Sequence, residues 1–195
     1  MDLSVAATNL EARGYQVEVF STAKEAADYL DARLDGMTIG FGGSMSLGAM
    51  QLYERLSAHN TVFSHLHGHP AGPDAAFAQL YITSANGLAE TGEIVNIDGI
   101  GNRLAGTLFG HERVIFVIGR NKLAPTLDEA IHRARNIAGP MNARRKNART
   151  PCAVKADHCY DCKSPERICR ALLILWEPMM GMEAEVVLVD EDLGF

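Results

Sequence analysis

The sequence has no apolar run approaching the roughly 18 residues that a membrane span requires. Its opening stretch, MDLSVAATNLEARG, lacks the basic start and apolar core of a signal peptide. There is no internal repeat and no low-complexity tract. Positive charge is not in excess: the formal net charge is −6, which argues against a general nucleic-acid binder. Gly99-Ile100-Gly101 lacks the third glycine of a dinucleotide fingerprint, and no nicotinamide or flavin motif occurs elsewhere. These absences point to a cytoplasmic protein without a membrane span. At 195 residues and 47% hydrophobic content, the chain suits a single domain over 1–195 with an ample core.

Cysteine is missing everywhere except in one stretch. Cys152, Cys159, Cys162 and Cys169 stand in the symmetric spacing C-x6-C-x2-C-x6-C. Four thiolates this close can converge on one centre, a metal ion or a cluster. A single C-x2-C flanked by lone cysteines suits a [4Fe–4S] cluster held by one loop (150–170). A structural zinc is the alternative, although its usual signature is two separated C-x2-C knuckles. Disulfides, or four unrelated thiols, are the bland reading. Nothing in the sequence suggests secretion, so disulfides are disfavoured. His158 adjoins Cys159 and could replace a thiolate.

The rest reads as alternating helices and strands. Residues 1–36 give a helix, a strand and a second helix, with Ser21 or Thr22 as its cap and Glu25 placed for a capping box. Met37–Phe41 is a strand leading into Gly42-Gly43-Ser44-Met45-Ser46 and a helix over Leu47–Ala58. Strand, glycine-rich turn and helix is an arrangement that receives anions, so Gly42, Gly43, Ser44 and Ser46 are candidate ligand contacts. The same glycines could serve only close packing. His65, His67 and His69 follow the strand Thr61–Ser64. They could form a metal half-site, a polar pocket wall or a solvated loop.

Leu80–Thr83 and Ile94–Ile97 read as strands flanking a turn at Glu90–Glu93. Asp98–Arg103 then opens a helix. Asn86, Glu90, Glu93, Asn96, Asp98, Asn102 and Arg103 exceed what a plain turn needs. Arg103 at a helix start opposes the dipole, which suggests either a bound carboxylate or phosphate or an internal ion pair. Arg113–Gly119 is a buried strand, and Lys122 follows its C-terminal end, where open α/β sheets bind ligands. A helix from Thr126 ends near Gly139-Pro140. Arg144, Arg145, Lys146 and Arg149 form a basic stretch that could neutralise a cluster, dock a partner or face solvent. Ala171–Trp176 and Ala184–Val189 read as a hairpin.

Three segments resemble a known family: Leu80–Gly110 (LYITSANGLAETGEIVNIDGIGNRLAGTLFG), Val114–Arg145 and Val186–Phe195 (VVLVDEDLGF). They look like the lactate-utilisation (LUD) domain family, in its stand-alone branch with a T-P-C…C-x2-C…R-I-C segment. The resemblance implies an α/β fold: a three-layer, mostly parallel sheet similar to the sugar-phosphate isomerase and CoA-transferase-like fold. The cysteine-rich loop and C-terminal hairpin would elaborate it. It also implies a role in oxidising lactate or another 2-hydroxy acid, alongside iron–sulfur redox partner proteins.

On that reading a small organic anion sits near Ser44, Asn86, Asn102, Arg103 and Lys122. His65, His67 or Glu93 is the base, with Glu90 or Glu93 as a catalytic carboxylate. One alternative is a non-redox isomerase or transferase acting on a phosphorylated or CoA-linked ligand, with structural zinc. Another is a non-catalytic subunit of a complex. Self-association into a homo-oligomer is left open.

Overall fold

The computed structural model describes residues 2–68, 73–155 and 157–195. In chain order the strands are β1 (Gln16–Phe20), β2 (Thr38–Phe41), β3 (Thr61–Ser64), β4 (Leu80–Thr83) and β5 (Gly87–Ala89). They continue with β6 (Ile94–Asp98), β7 (Arg113–Gly119), β8 (Leu123–Ala124), β9 (Ala171–Leu175) and β10 (Glu183–Val189). Six of them form a parallel central sheet in the order β1-β10-β7-β4-β2-β3. The other four form a small mixed sheet in the order β8-β5-β6-β9, and the short helix α5 (Pro73–Ala76) stands between β3 and β4 in the chain.

The central strands are apolar on both faces, as strands covered on both sides must be. Along β7, Ile115 and Val117 face one layer, where α2 (Ala23–Arg33), α3 (Met45–Ala49) and α4 (Leu52–Ser57) bury Leu30, Leu47, Leu52 and Leu56. Val114, Phe116 and Ile118 face the other layer, against Ala6 and Leu10 of α1 (Leu3–Ala12) and Leu88 and Ile94 of the small sheet. This alternation is the two-residue period of a strand. The result is a three-layer α/β architecture. Thr22 and Glu25 form the expected capping box at the start of α2.

Three local expectations need correction. The last two apolar runs are not a hairpin: β9 pairs antiparallel with β6, whereas β10 lies between β1 and β7. Glu183–Val189 is buried on both faces, so only the middle of the large sheet can hold it. The helix expected over Leu47–Ala58 is broken, because Gln51 takes a left-handed conformation (φ 53°) between α3 and α4.

The helix beginning at Thr126 also does not stop at Pro140. It runs as α7 (Leu127–Arg133), a π-helical turn over Ala134–Ala138, and α8 (Gly139–Arg145). Pro140 has no N–H to donate and its ring crowds the preceding turn. A widened turn just before it lets the helix continue.

Phe116 is the largest fully buried side chain and sits at the centre of the layer facing α1. Phe116→Ala is expected to lower unfolding free energy by about 3–5 kcal/mol. Urea denaturation would show this as a lower midpoint with an unchanged slope.

Candidate functional site

Along the central sheet the chain moves outward from β2 to β3, then returns to lay β4 on the other side of β2 and continues to β7. The sheet order therefore reverses between β2 and β4. Loops diverge there at the C-terminal strand ends and leave a crevice. The loop after β2 brings Gly42 to Ser44, the end of β3 brings His65, and the end of β4 brings Ser84 and Asn86. A cavity of about 330 Å³ opens at this point.

Its walls are Gly43, His65, Asn86, the Asp98–Arg103 turn, the α8 residues Asn142 and Arg145, Lys146, and Pro165 to Arg170 of the cysteine segment. Arg103, Arg145, Lys146, Arg167 and Arg170 face only Asp98 and Glu166 as acids, so the cleft favours an anion. Glu166 is also engaged elsewhere, by Arg149.

Arg103 is partly buried. One terminal nitrogen donates to Asn86 Oδ1 (3.2 Å) and Asn96 Oδ1 (3.3 Å), and the other to the Gly43 carbonyl (2.7 Å). Its Nε and Asn96 Nδ2 are both shielded from solvent and meet no acceptor among the described residues. Burial lowers the Arg103 pKa, with Asp98 acting in opposition. Asp98 does not pair with the guanidinium directly. It caps α6 (Asn102–Leu108), accepting from the N–H groups of Gly99 (2.7 Å), Ile100 (3.3 Å) and Arg103 (2.9 Å). Burial alone would raise its carboxyl pKa; these N–H groups and Arg103 outweigh that and hold it low.

Lys122 is 3% exposed. Its Nζ lies 2.7 Å from both Ser46 Oγ and Ser84 Oγ. Among the described residues no carboxylate pairs with Lys122 or Arg103. Burial, reinforced by Arg133 and Arg103, pushes the Lys122 amine far below its usual pKa. A small chamber of about 40 Å³ lies between this amine and the main cleft, sharing Gly43, Asn86 and Arg103 with it.

The glycine loop plays a packing role. A Cβ on Gly43 would lie 2.8 Å from the His65 ring, and one on Gly42 would collide with Thr83. Ser44 caps α3, accepting from Ser46 N (3.2 Å) and Leu47 N (3.4 Å). Asn102 lines the cleft.

The candidate bases separate. His65 lines the cleft, and burial, with Lys146 and Arg103 nearby, lowers its pKa. His67 turns away, stacking on Tyr53 at 3.5 Å and meeting Ser64 Oγ at 2.9 Å. His69 lies outside the described residues. Glu90 and Glu93 do not line the cleft. Glu90 accepts from Asp2 N (2.7 Å), and Glu93 pairs with Arg13 at 2.5 Å and accepts from Thr91. Both clamp α1 to the β5–β6 turn. Five steps along β6 take the chain from Glu93 to Asp98, about 17 Å at strand spacing.

The four cysteines are free and half-buried. Cys152 lies in the single-turn helix α9 (Pro151–Lys155), and residues 157–170 form neither helix nor strand. Arg167 folds it, donating to the carbonyls of Cys162 (2.8 Å) and Cys169 (2.7 Å). Asp161 N–H donates to Cys159 Sγ (3.4 Å). Four thiols suit a soft metal or cluster. Among the described residues no three His, Cys, Asp or Glu side chains converge on one point, so four-fold ligation would require the loop to tighten. Cys169 itself forms part of the cleft wall.

Asp98, Asn96, Ser84, Arg133, Arg145 and Lys146 were not singled out as site residues from sequence. Asp98 and Asn96 stood in the polar block, and Arg145 and Lys146 in the basic stretch. The π turn is what aims the last two at the cleft. Arg133 is buried, donating to the carbonyls of Asn86 (2.5 Å) and Asn121 (2.8 Å).

Glu93→Gln is expected to lower stability by about 1–3 kcal/mol through its broken pairing with Arg13. Anion binding in the cleft should stay within about two-fold, read by titration calorimetry. His65 and His111 both have folded pKa values below 6.5, chiefly from burial. The unfolded chain therefore binds more protons just below pH 6.5, and stability should fall as pH drops from there. Denaturant midpoints from pH 7.5 to 5 would show this, and His111→Gln should flatten the fall.

The sequence matches the LUD domain over residues 3–189. No curated protein sequence gives a match. Among solved structures, a DUF162 family protein from Deinococcus radiodurans aligns over 96% of this chain and 95% of its own, at 15% identity and a TM-score of 0.58. That likeness concerns the fold alone. With a match over nearly its whole length, the chain belongs to the LUD domain family, which is linked to lactate utilisation.

Proposed function

We propose that the chain binds a small organic anion, lactate or another 2-hydroxy acid or its 2-oxo product, and takes part in its oxidation together with redox partner proteins. The observation that carries this is a juxtaposition: Cys169 and Arg103 line one cleft at the switch point of the sheet. Arg103 lines the cleft and offers its guanidinium charge to a carboxylate, while Arg145 and Lys146 raise the local anion concentration. His65, neutral at physiological pH because its pKa is lowered, takes the hydroxyl proton. Cys152, Cys159, Cys162 and Cys169 would hold an iron–sulfur cluster, which supplies one-electron transfer when bound.

Anaerobic purification followed by iron, sulfide and zinc analysis tests the redox half. About four irons and four sulfides per chain, lost in Cys162→Ser, are expected. About one zinc per chain and no colour would overturn the redox reading and leave a structural site. The binding half is tested separately: Arg103→Met should weaken lactate or pyruvate binding by about 10–150-fold in calorimetry.

A further inference from the structure

Behind the anion cleft lies a cluster that the redox reading does not use. Ser46 and Ser84 are 0% and 3% exposed, and each places its Oγ 2.7 Å from Lys122 Nζ. Their protons are not equivalent. The Ser46 hydroxyl donates to the Leu193 carbonyl at 3.0 Å, so its proton is committed. The Ser84 hydroxyl has only a long alternative, Ser46 Oγ at 3.3 Å. An uncharged Lys122 amine, which the burial of this side chain favours, offers Ser84 an acceptor at 2.7 Å. Nucleophile, adjacent base and a third group orienting the base are the arrangement of nucleophilic catalysis, here in a serine–lysine form.

We propose that Ser84 is a nucleophile activated by Lys122 and oriented by Ser46, and that the chamber accepts the acyl group of a short-chain ester or thioester. The chamber of about 40 Å³ admits a small acyl group and excludes a long one. It opens past Gly43, Asn86 and Arg103 into the cationic cleft, so the leaving alcohol or thiol is one carrying negative charge.

In the acylation step the Ser84 Oγ–H proton moves to Lys122 Nζ as the Oγ–C bond forms. The bond from carbonyl carbon to leaving oxygen or sulfur then breaks, and the leaving group takes the proton from Lys122. Water attacks the acyl-serine by the same route, releasing the carboxylic acid and restoring Ser84. No electrons change hands and no co-reactant beyond water is needed. Arg103, which lines both chamber and cleft, places its positive charge beside the developing oxyanion.

The full-length protein would be mixed with 4-nitrophenyl acetate. The 4-nitrophenolate burst would be followed and the acetyl group located by peptide mass spectrometry. One acetyl per chain on Ser84 is expected, absent in Ser84→Ala. Lys122→Met should slow the burst by about 10²–10⁴-fold. The burst rate should also rise with pH through a midpoint below the ordinary lysine value of 10.5. Circular dichroism melts identify variants that do not fold; for these, the wild-type acetyl position and pH profile decide. Acetylation confined to exposed lysines, or a full burst in folded Ser84→Ala, would overturn the proposal. Iron and zinc analysis of the same sample is a separate readout, so the acetyl position on Ser84 is decided whether or not the cysteines hold a cluster.

Discussion

The functional edge of the sheet depends on one buried amine. Lys122 follows β7, Ser84 follows β4 and Ser46 lies just beyond β2; Ser46 in turn binds the carbonyl of Leu193, beyond β10. Those four strands are neighbours in the order β10-β7-β4-β2. A single Nζ therefore ties the C-terminal ends of four adjacent strands together. Keeping it charged there without a carboxylate would be costly, since desolvation of an unpaired ammonium is among the largest unfavourable terms in a fold. Two hydroxyls satisfy the amine in its neutral form. The neutral form is also the only one that can accept a proton.

This arrangement explains why the acids lie where they do. The carboxylates that bear structural load are kept from the cleft: Glu93 pairs with Arg13 beneath α1, and Glu185, 1% exposed, pairs with Arg33 and Tyr29 under α2. Asp98 is the carboxylate nearest Arg103, and its oxygens are occupied by backbone N–H groups at the start of α6. A carboxylate already engaged four times by N–H groups is a weak competitor for a guanidinium. Arg103 is thereby held in place by neutral acceptors from Asn86, Asn96 and Gly43, and its charge stays available to a ligand.

Much of this was legible in the sequence, and the failures have physical causes. The alternating apolar runs and the glycine-rich turns located the strands, their C-terminal ends, and hence Arg103 and Lys122. Four features depended on what the folded chain brings together. Pairing is not written into a strand, so two consecutive apolar runs looked like a hairpin although β9 and β10 belong to different sheets. Pro140 looked like a terminator, yet a π turn carries the helix past it. Glu90 and Glu93 drew attention as polar residues beside a turn; only the fold shows that α1 packs there and uses them. Ser84 carried no signal alone, because a serine after a strand is ordinary until a lysine 38 residues later meets it.

The cysteine segment is coupled to the cleft largely through its own backbone groups, and that sets how it can act. Arg170 N–H donates to the Asp98 carbonyl at 2.8 Å, where the segment continues into β9 alongside β6. Gly99 approaches the Ile168 carbonyl so closely that any side chain would collide with it. At the other end Cys159 N–H donates to Asn136 in the π turn that leads to Arg145. The segment thus touches both walls of the cleft: the turn holding Asp98 and Arg103, and the helix holding Arg145. Tightening of the loop about a metal would move Cys159 and Cys169 with respect to each other. Through Asn136 and Gly99 it would also change the distance between the two cationic walls. A metal held by these thiols would therefore be linked by geometry to anion binding in the cleft.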